Sequence, residues 1–399
     1  MKKLLLTVAL STLIATNANA TKLFDLTLTQ GTTEHRAYDS ILDLFDDYKD
    51  GKLDKIISGY DDKAASSGVV NFRGIPMSLD FDNSAVLTFK VPALGINETF
   101  DGGSQKESFK LFKKYLEKNK DGMLKKILKA GVEYTPFDAV AGNPNSLMSQ
   151  MADTSFYRAG GNSVAGGAVN GTTNMSGFVG YLSPGAARHV IDFGGEKVKA
   201  TSFSLPIGAT FKMGDSGWAI LWDMPLSYTN MEGSESYMAQ MGLGLKIPLM
   251  KYWNITPAVR GGATGSADML SGGILYSGNI TSDVTVPVGN WTIGMTNMAG
   301  IIHSYDLKVK DYEVAYDLKN QVFKNGVHVR YDFNEKYAVG ASYDYTFYTG
   351  DKLYIDSYHN VELSATRKME GFFSGVSLVS SYTFDSDYKA YHLGLRFSF

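Results

Sequence analysis

Six ionisable residues toward the end of the chain are spaced so that they could line one chamber. His328, Arg330 and Asp332 alternate with Val327, Val329, Tyr331 and Phe333. Asp344 stands between Tyr343 and Tyr345, Glu362 between Val361 and Leu363, and Arg396 between Leu395 and Phe397. A strand points successive side chains to opposite faces, so each charged group falls on the face opposite an apolar row. Around a water-filled interior these groups would form a charge ladder that selects ions or solutes. Around a narrow interior they would pair with one another and fill it. Spacing leaves both readings open.

No catalytic constellation is visible. His303 and Ser304 are adjacent, so on a strand they point to opposite faces and cannot pair. No Ser stands two residues from a His with a third partner beside it, although a pair made across strands leaves no trace in sequence. Residues 117–122 imitate the start of a calcium loop, but Leu128 occupies the twelfth position, where a bidentate carboxylate belongs. The 6 His lack ligand spacing, and Met238, Met241 and Met250 suit a lipid-facing surface better than a soft-metal route. The absence of Cys excludes disulfides and thiolate sites, and suits a precursor that stays unfolded in an oxidising compartment. No metal, cofactor or enzymatic activity is expected. A net charge of −3 gives no reason to expect nucleic acid as a partner.

The elements that must position the six residues are strands. From about residue 175 the text has period two. Phe203, Leu205, Ile207, Ala209, Phe211 and Met213 alternate with smaller or polar residues. Trp218 to Leu226, Met241 to Ile247, Trp253 to Val259, Val284 to Met295 and Tyr337 to Phe347 continue the pattern, with short turns between. The count is about a dozen, least certain at residues 175–190 and 303–323. A soluble β-sandwich shares this periodicity, but rows that stay apolar over their whole length suit lipid. Trp218, Trp253, Trp291, Tyr337, Phe347 and Phe399 stand at row ends, where interfacial girdles sit. The expected fold is an all-β transmembrane antiparallel barrel of about 12 strands over residues 175–399, preceded by a small α/β domain.

In front of the barrel three regions differ in character. Residues 1–20 have a charged start, an apolar run over residues 4–14 and a small-x-small site at Ala18-Asn19-Ala20, the layout of a cleaved signal peptide. Residues 21–158 combine helical spacing at 37–50, 105–119 and 123–131 with short strands near 69–72, 77–81 and 85–91. Lysines between Lys106 and Lys129 give the later helices a basic face. It could be solvated, pair with the acidic face of 37–50, or touch an anionic membrane surface. Asn145 or Ser146 could cap a short helix through Met151. Residues 159–174, rich in Gly, Asn and Ala, suggest a flexible linker.

The last strand carries a resemblance. His392, Gly394, Phe397 and Phe399 have the spacing of the C-terminal assembly signal of Gram-negative outer-membrane barrels. The resemblance implies residence in the cell outer membrane. It also implies contact with outer-membrane lipid and lipopolysaccharide, and handling by periplasmic chaperones and the barrel assembly machinery. In length and strand count residues 175–399 resemble the translocator barrels of autotransporters, in which a segment before the barrel threads the pore. Here a compact α/β unit takes the place of a long repetitive passenger. Asn143-Pro144 faintly resembles the plug of outer-membrane hydrocarbon transporters. The first expectation for function is a channel or transporter for small or amphiphilic solutes. An autotransporter-like translocator that displays its N-terminal domain is second, and a barrel enzyme third. Residues 21–158 would then plug the pore, lie beneath it or be displayed above it.

Overall fold

A computed structural model describes residues 23–49, 52–117, 122–160, 177–309, 312–314 and 316–399. Residues 1–20, read as a signal peptide, and residues 161–174 of the expected linker lie outside these, as does part of the calcium-loop look-alike.

The chain opens with an antiparallel six-stranded sheet of order β2-β1-β3-β4-β5-β6. Its strands are β1 (Phe24–Gln30), β2 (Thr32–Tyr38), β3 (Ser66–Phe72), β4 (Ile75–Phe81), β5 (Leu87–Val91) and β6 (Ile96–Phe100). Phe24, Leu26, Val70, Met77, Leu79 and Phe89 line one face, as period-two alternation requires. Helix α1 (Ile41–Lys49) lies between β2 and β3, and α2 (Gln105–Glu117) and α3 (Met123–Tyr134) follow β6. Phe112 of α2 packs 4.8 Å from Phe89 and 5.6 Å from Phe100, ring centre to ring centre. The other sheet face is polar, with Ser67 and Ser78 hydrogen-bonded to Asp80 and Asn71 to Asp25.

The second sheet closes on itself. Its strands are β7 (Phe178–Leu182), β8 (Gly185–Phe193), β9 (Glu196–Lys212), β10 (Ala219–Met231), β11 (Ser234–Met250), β12 (Trp253–Ser266), β13 (Ser271–Val288) and β14 (Trp291–Tyr305), then β17 (Lys319–Asp332), β18 (Tyr337–Gly350), β19 (Ser357–Lys368), β20 (Gly375–Phe384) and β21 (Tyr388–Ser398). A small hairpin, β15 (Leu307–Val309) and β16 (Tyr312–Val314), interrupts the loop before β17. β7 and β8 hold one register against β9 and against β21, so they are two halves of one strand broken at Ser183-Pro184. Pro184 has no N–H, but its carbonyl still accepts from Leu395 N at 2.9 Å. Counted so, the barrel has 12 strands, all antiparallel.

Apolar rows face outward all round the barrel. Phe203, Ile220, Leu243, Val259, Ile280, Ile293, Val327, Leu363 and Leu378 are all exposed. A continuous belt of this extent in water would be far larger than the apolar patches soluble monomers tolerate. With its strands paired into a closed ladder, it is the surface of a membrane-spanning barrel. Among the described residues no helix is long and apolar enough to cross a membrane.

Two expected boundaries change. A fourth helix, α4 (Leu147–Gly160), runs well past Met151 and takes in Ala159 and Gly160, which composition had assigned to a linker. The first barrel strand begins at Phe178. The strands β1, β2 and β6 were also not anticipated.

Candidate functional site: an occupied lumen

The barrel has two rims. One carries the start of β7, the last residue and the turns after β9, β11, β13, β17 and β19. The other carries the turns after β8, β10, β12, β14, β18 and β20. The α/β domain packs over this second rim. Ile191, Val198, Ala200, Met231, Met269, Ile355 and Tyr388 from the barrel share one apolar core with Leu23, Phe24, Phe72, Ile75 and Phe137. Polar contacts pin the same seam. Ile41 N donates to Asp268 O at 3.0 Å, and Ser234 Oγ to Asp39 O at 2.7 Å. Lys125 and Lys129 of α3 reach Asp317 and Asp351 at 3.0 and 2.7 Å. Two lysines of the basic run thus meet carboxylates of the barrel loops, while Lys110 pairs with Glu107 on its own helix. Beneath it, Arg73 and Asp138, both fully buried, pair at 2.8 Å, and the Tyr316 hydroxyl donates to Asp138 at 3.1 Å.

From this seam α4 descends through the lumen. Ser146 sits at its N-terminus, with its hydroxyl 3.5 Å from Ser149 N. Asn145, just before the helix, donates to Thr229 close to the domain rim. Lower down, Arg260 Nε donates to Ser155 at 3.2 Å. Arg158 donates to the Ala209 carbonyl and to Thr210 Oγ1, near the far end of β9. A β-carbon on Gly160 would lie 2.7 Å from Thr296 Oγ1, so only glycine lets the helix end approach β14 this closely. Small residues (Ser149, Ala152, Ser155, Ala159 and Gly160) keep the helix thin enough for the bore. All but Gly160 are buried.

The centre of the lumen is an ionic cluster. Lys324 Nζ lies 2.8 Å from Asp153 on α4 and 2.5 Å from Asp344 on β18. It also donates to Thr346, and the rings of Phe156, Tyr157 and Tyr358 surround it at 4.8–5.6 Å. The Tyr157 and Tyr358 hydroxyls donate to Asp344 and Asp153. A second pair, Arg260–Asp223, is bidentate and buried.

The six residues singled out from sequence all lie on the lumenal parity. Asp344 belongs to the Lys324 cluster. Arg330 and Asp332 pair at 2.7 Å, and Lys368 adds to Asp332 at 3.1 Å, toward the far rim. His328 lies over Gly294 and 3.3 Å from Thr285. Glu362 and Arg396 are buried in the wall. Asp344 and His328 therefore face α4, and Arg330 and Asp332 face each other. The gap between α4 and β17–β18, lined by Phe156, Tyr157, Gly160, His328, Ser342 and Asp344, holds about 20 Å³, room for a single water. Lys324, Asp153, Asp223, Arg260 and Arg158 were not foreseen. The barrel residues among them sit on the lumenal parity, but register across strands, which decides who meets whom, is not written in one sequence.

Of the assembly-signal residues, Gly394 stands opposite Gly185 of β8 and Phe397 opposite Leu182 of β7, and Phe399 and Gly180 exchange backbone hydrogen bonds at 2.8 and 3.0 Å. A β-carbon at Gly180 would overlap the Phe399 ring, so glycine is the socket for the terminal aromatic. His392 stacks above Gly185 in the same way.

A cross-strand Ser–His pair does occur. His189 lies 2.7 Å from Ser202 Oγ and 2.6 Å from the Tyr388 hydroxyl. All three are buried, and His189 stands opposite Ala200 and Ala390 in the sheet. Among the described residues no group of His, Cys, Asp and Glu could hold a metal ion.

Fold and site together define a membrane-spanning 12-stranded barrel whose lumen is filled by a helix of its own chain. No protein-family model matches the chain, and no curated protein matches it in sequence. Among solved structures, the translocator domain of the autotransporter NalP from Neisseria meningitidis is similar at 12% identity over 63% of this chain and 96% of that one, with a TM-score of 0.44. The beta domain of the Bordetella autotransporter BrkA is similar at 11% identity over 56% and 99%, with a TM-score of 0.42. An outer membrane channel from Pseudomonas putida F1 is similar at 10% identity over 57% and 96%, with a TM-score of 0.43. Likeness at this level describes barrel shape and carries nothing about activity.

Proposed function

We propose that the protein is an outer-membrane display barrel that holds its N-terminal α/β domain on the outer face of the cell, with α4 as the stalk. The path of the chain supports this reading. The domain covers one rim, α4 runs through the lumen to the other, and the first strand starts at that other rim beside Phe399. Bacterial barrels keep their longer loops outside. The longest connection here, residues 306–318, lies on the rim that carries the domain. The export signal in residues 1–20 would deliver the chain to the periplasm. There the barrel assembly machinery would meet β21. Solute passage, the other use of such a barrel, requires α4 to leave.

Two measurements test the reading. Protease added to intact cells should cut within residues 23–134; protection of that region on intact cells would overturn display. In planar bilayers the full chain should be closed, and a chain lacking residues 147–160 should conduct. Equal conductance in both would show that α4 does not occlude the lumen.

A further inference from the structure

The α/β domain has one strand that nothing covers. β2 is the edge of its sheet, and every residue from Thr32 to Ala37 is exposed. Its inner edge pairs with β1 along its whole length. Among the described residues no strand pairs with its outer edge. The strand is held rigidly. Gln30, at the hairpin turn, donates to Asp61 O at 2.9 Å and accepts from Asp61 N at 2.7 Å, and Arg36 is tied to Asp47 of α1 at 3.2 Å. An open edge is a template for another strand, and proteins usually blunt it with proline, bulges or charges of one sign that repel a second copy. β2 has no proline and no bulge against β1.

Its two charges, Glu34 and Arg36, stand on the sheet face that carries Leu28 and Leu26, and they are of opposite sign. Glu34 and Arg36 are two residues apart and point to the same face. If a second β2 pairs antiparallel about a two-fold axis through His35, Glu34 falls opposite Arg36 of the other copy, and Arg36 opposite Glu34. Thr33 falls opposite Ala37. The charges are therefore self-complementary in one register and mismatched in neighbouring ones. Opposite charges directly across a pair are stabilising and like charges are not. Arg36 has five N–H donors and can keep Asp47 while reaching the other chain. Edge pairing of this kind supplies main-chain hydrogen bonds for affinity and alternate side chains for register.

We infer that β2 is a self-association edge, through which two copies of this chain join their N-terminal sheets antiparallel with His35 at the centre. The inference is independent of which side of the membrane the domain occupies.

The natural absence of cysteine makes the register directly readable. Directly opposed strand residues have Cα separations within disulfide range. With the full-length barrel in detergent and a mild oxidant added, His35→Cys should give a covalent dimer. Thr33→Cys alone should not, but a mixture of Thr33→Cys and Ala37→Cys chains should. In an uncrosslinked dimer measured by sedimentation, Glu34→Arg should weaken association about tenfold or more, because two like-charge contacts replace two attractive ones. Adding Arg36→Glu to Glu34→Arg should restore it. Heat-modifiable mobility of each variant confirms a folded barrel. A monomeric, uncrosslinked His35→Cys protein would overturn the inference, as would equal crosslinking through Thr33→Cys and His35→Cys, or failure of the charge reversal to restore dimer.

Discussion

Replacing Lys324 with Met should unseat α4. The Lys324 ammonium is fully buried and lies between Asp153 of the helix and Asp344 of the wall, 2.8 and 2.5 Å away. Methionine keeps much of the length and fits among Phe156, Tyr157 and Tyr358, but it removes the cation that Asp153 and Asp344 share. Two carboxylates then face each other, Asp344 buried and Asp153 part-buried, with no cation between them. Removing one partner of a buried ion pair typically costs about 3–5 kcal/mol. At about 1.4 kcal/mol per tenfold, that shifts the balance between seated and released helix by roughly 100- to 3,000-fold. The triple variant Lys324→Met, Asp153→Asn, Asp344→Asn removes all the charges together and should recover most of the loss, since no uncompensated charge stays behind. Single-molecule conductance in planar bilayers reads the difference. Wild type should be silent, Lys324→Met should open in bursts, and the triple variant should be mostly silent. If Lys324→Met stays closed, or the triple variant leaks as much as the single one, the ionic cluster does not hold the helix.

Other expectations can be checked with simpler tools. Arg73→Met leaves Asp138 buried without its guanidinium, so the domain should loosen from the barrel by about 3–5 kcal/mol and residues 135–146 should become protease-sensitive in detergent; unchanged protection would count against the lock. Gly180→Val forces a side chain into the Phe399 ring and should lower the yield of heat-modifiable barrel, with an overpacking cost of about 1–3 kcal/mol. Adding Phe399→Ala should return part of that yield if the clash is the cause. The Tyr38 hydroxyl is pushed up to about 12, first by burial and then by the neighbouring Asp47 carboxylate. An unfolded tyrosine titrates near 10, so its contribution is complete below about pH 10 and is lost as pH rises toward 12. The α/β domain should therefore weaken across that window in alkaline denaturation, and Tyr38→Phe should flatten the dependence. Lys125 and its hydrogen bond hold the Asp317 carboxyl below its usual range, so the α3–loop contact should persist at neutral pH and fade only in strong acid. Asp317→Asn should remove that acid dependence in amide exchange of α3.

The barrel was legible because period two repeats over long stretches and a one-residue error would turn an apolar row into the lumen. Phe203 to Phe211 or Tyr337 to Phe347 leave no other assignment. The lumen was less legible. Lys324 and His328 lie on the same face of β17, yet only a cross-strand register and an inserted helix make Lys324 the hub. The α4 sequence offered a cap at Ser146 but then ran through Ser149, Ala152, Ser155 and Ala159. On an exposed helix such residues signal weakness, whereas in a narrow bore they are what fits. Its last residues resembled the linker expected at residues 159–174, because a glycine needed for contact with Thr296 looks the same as a glycine placed for freedom. In the α/β domain, Phe24, Leu26 and Leu28 alternate plainly enough to mark β1. β2 has no apolar face, so pattern alone had nothing to show.

The helix in the lumen also fixes the order of construction. On one side of the bore hangs a six-stranded sheet with its helices, far wider than a channel that one thin helix fills. On the other side the first stave of the barrel starts at Phe178. Such a molecule is threaded, like a bead on a knotted cord, and no finished ring can be slipped over a finished domain. Either the staves close around the strand of chain already between them, or the N-terminal portion crosses as an unfolded thread and acquires its sheet afterwards. Once both ends are folded, separation would require unfolding the domain, opening the ring or cutting the cord.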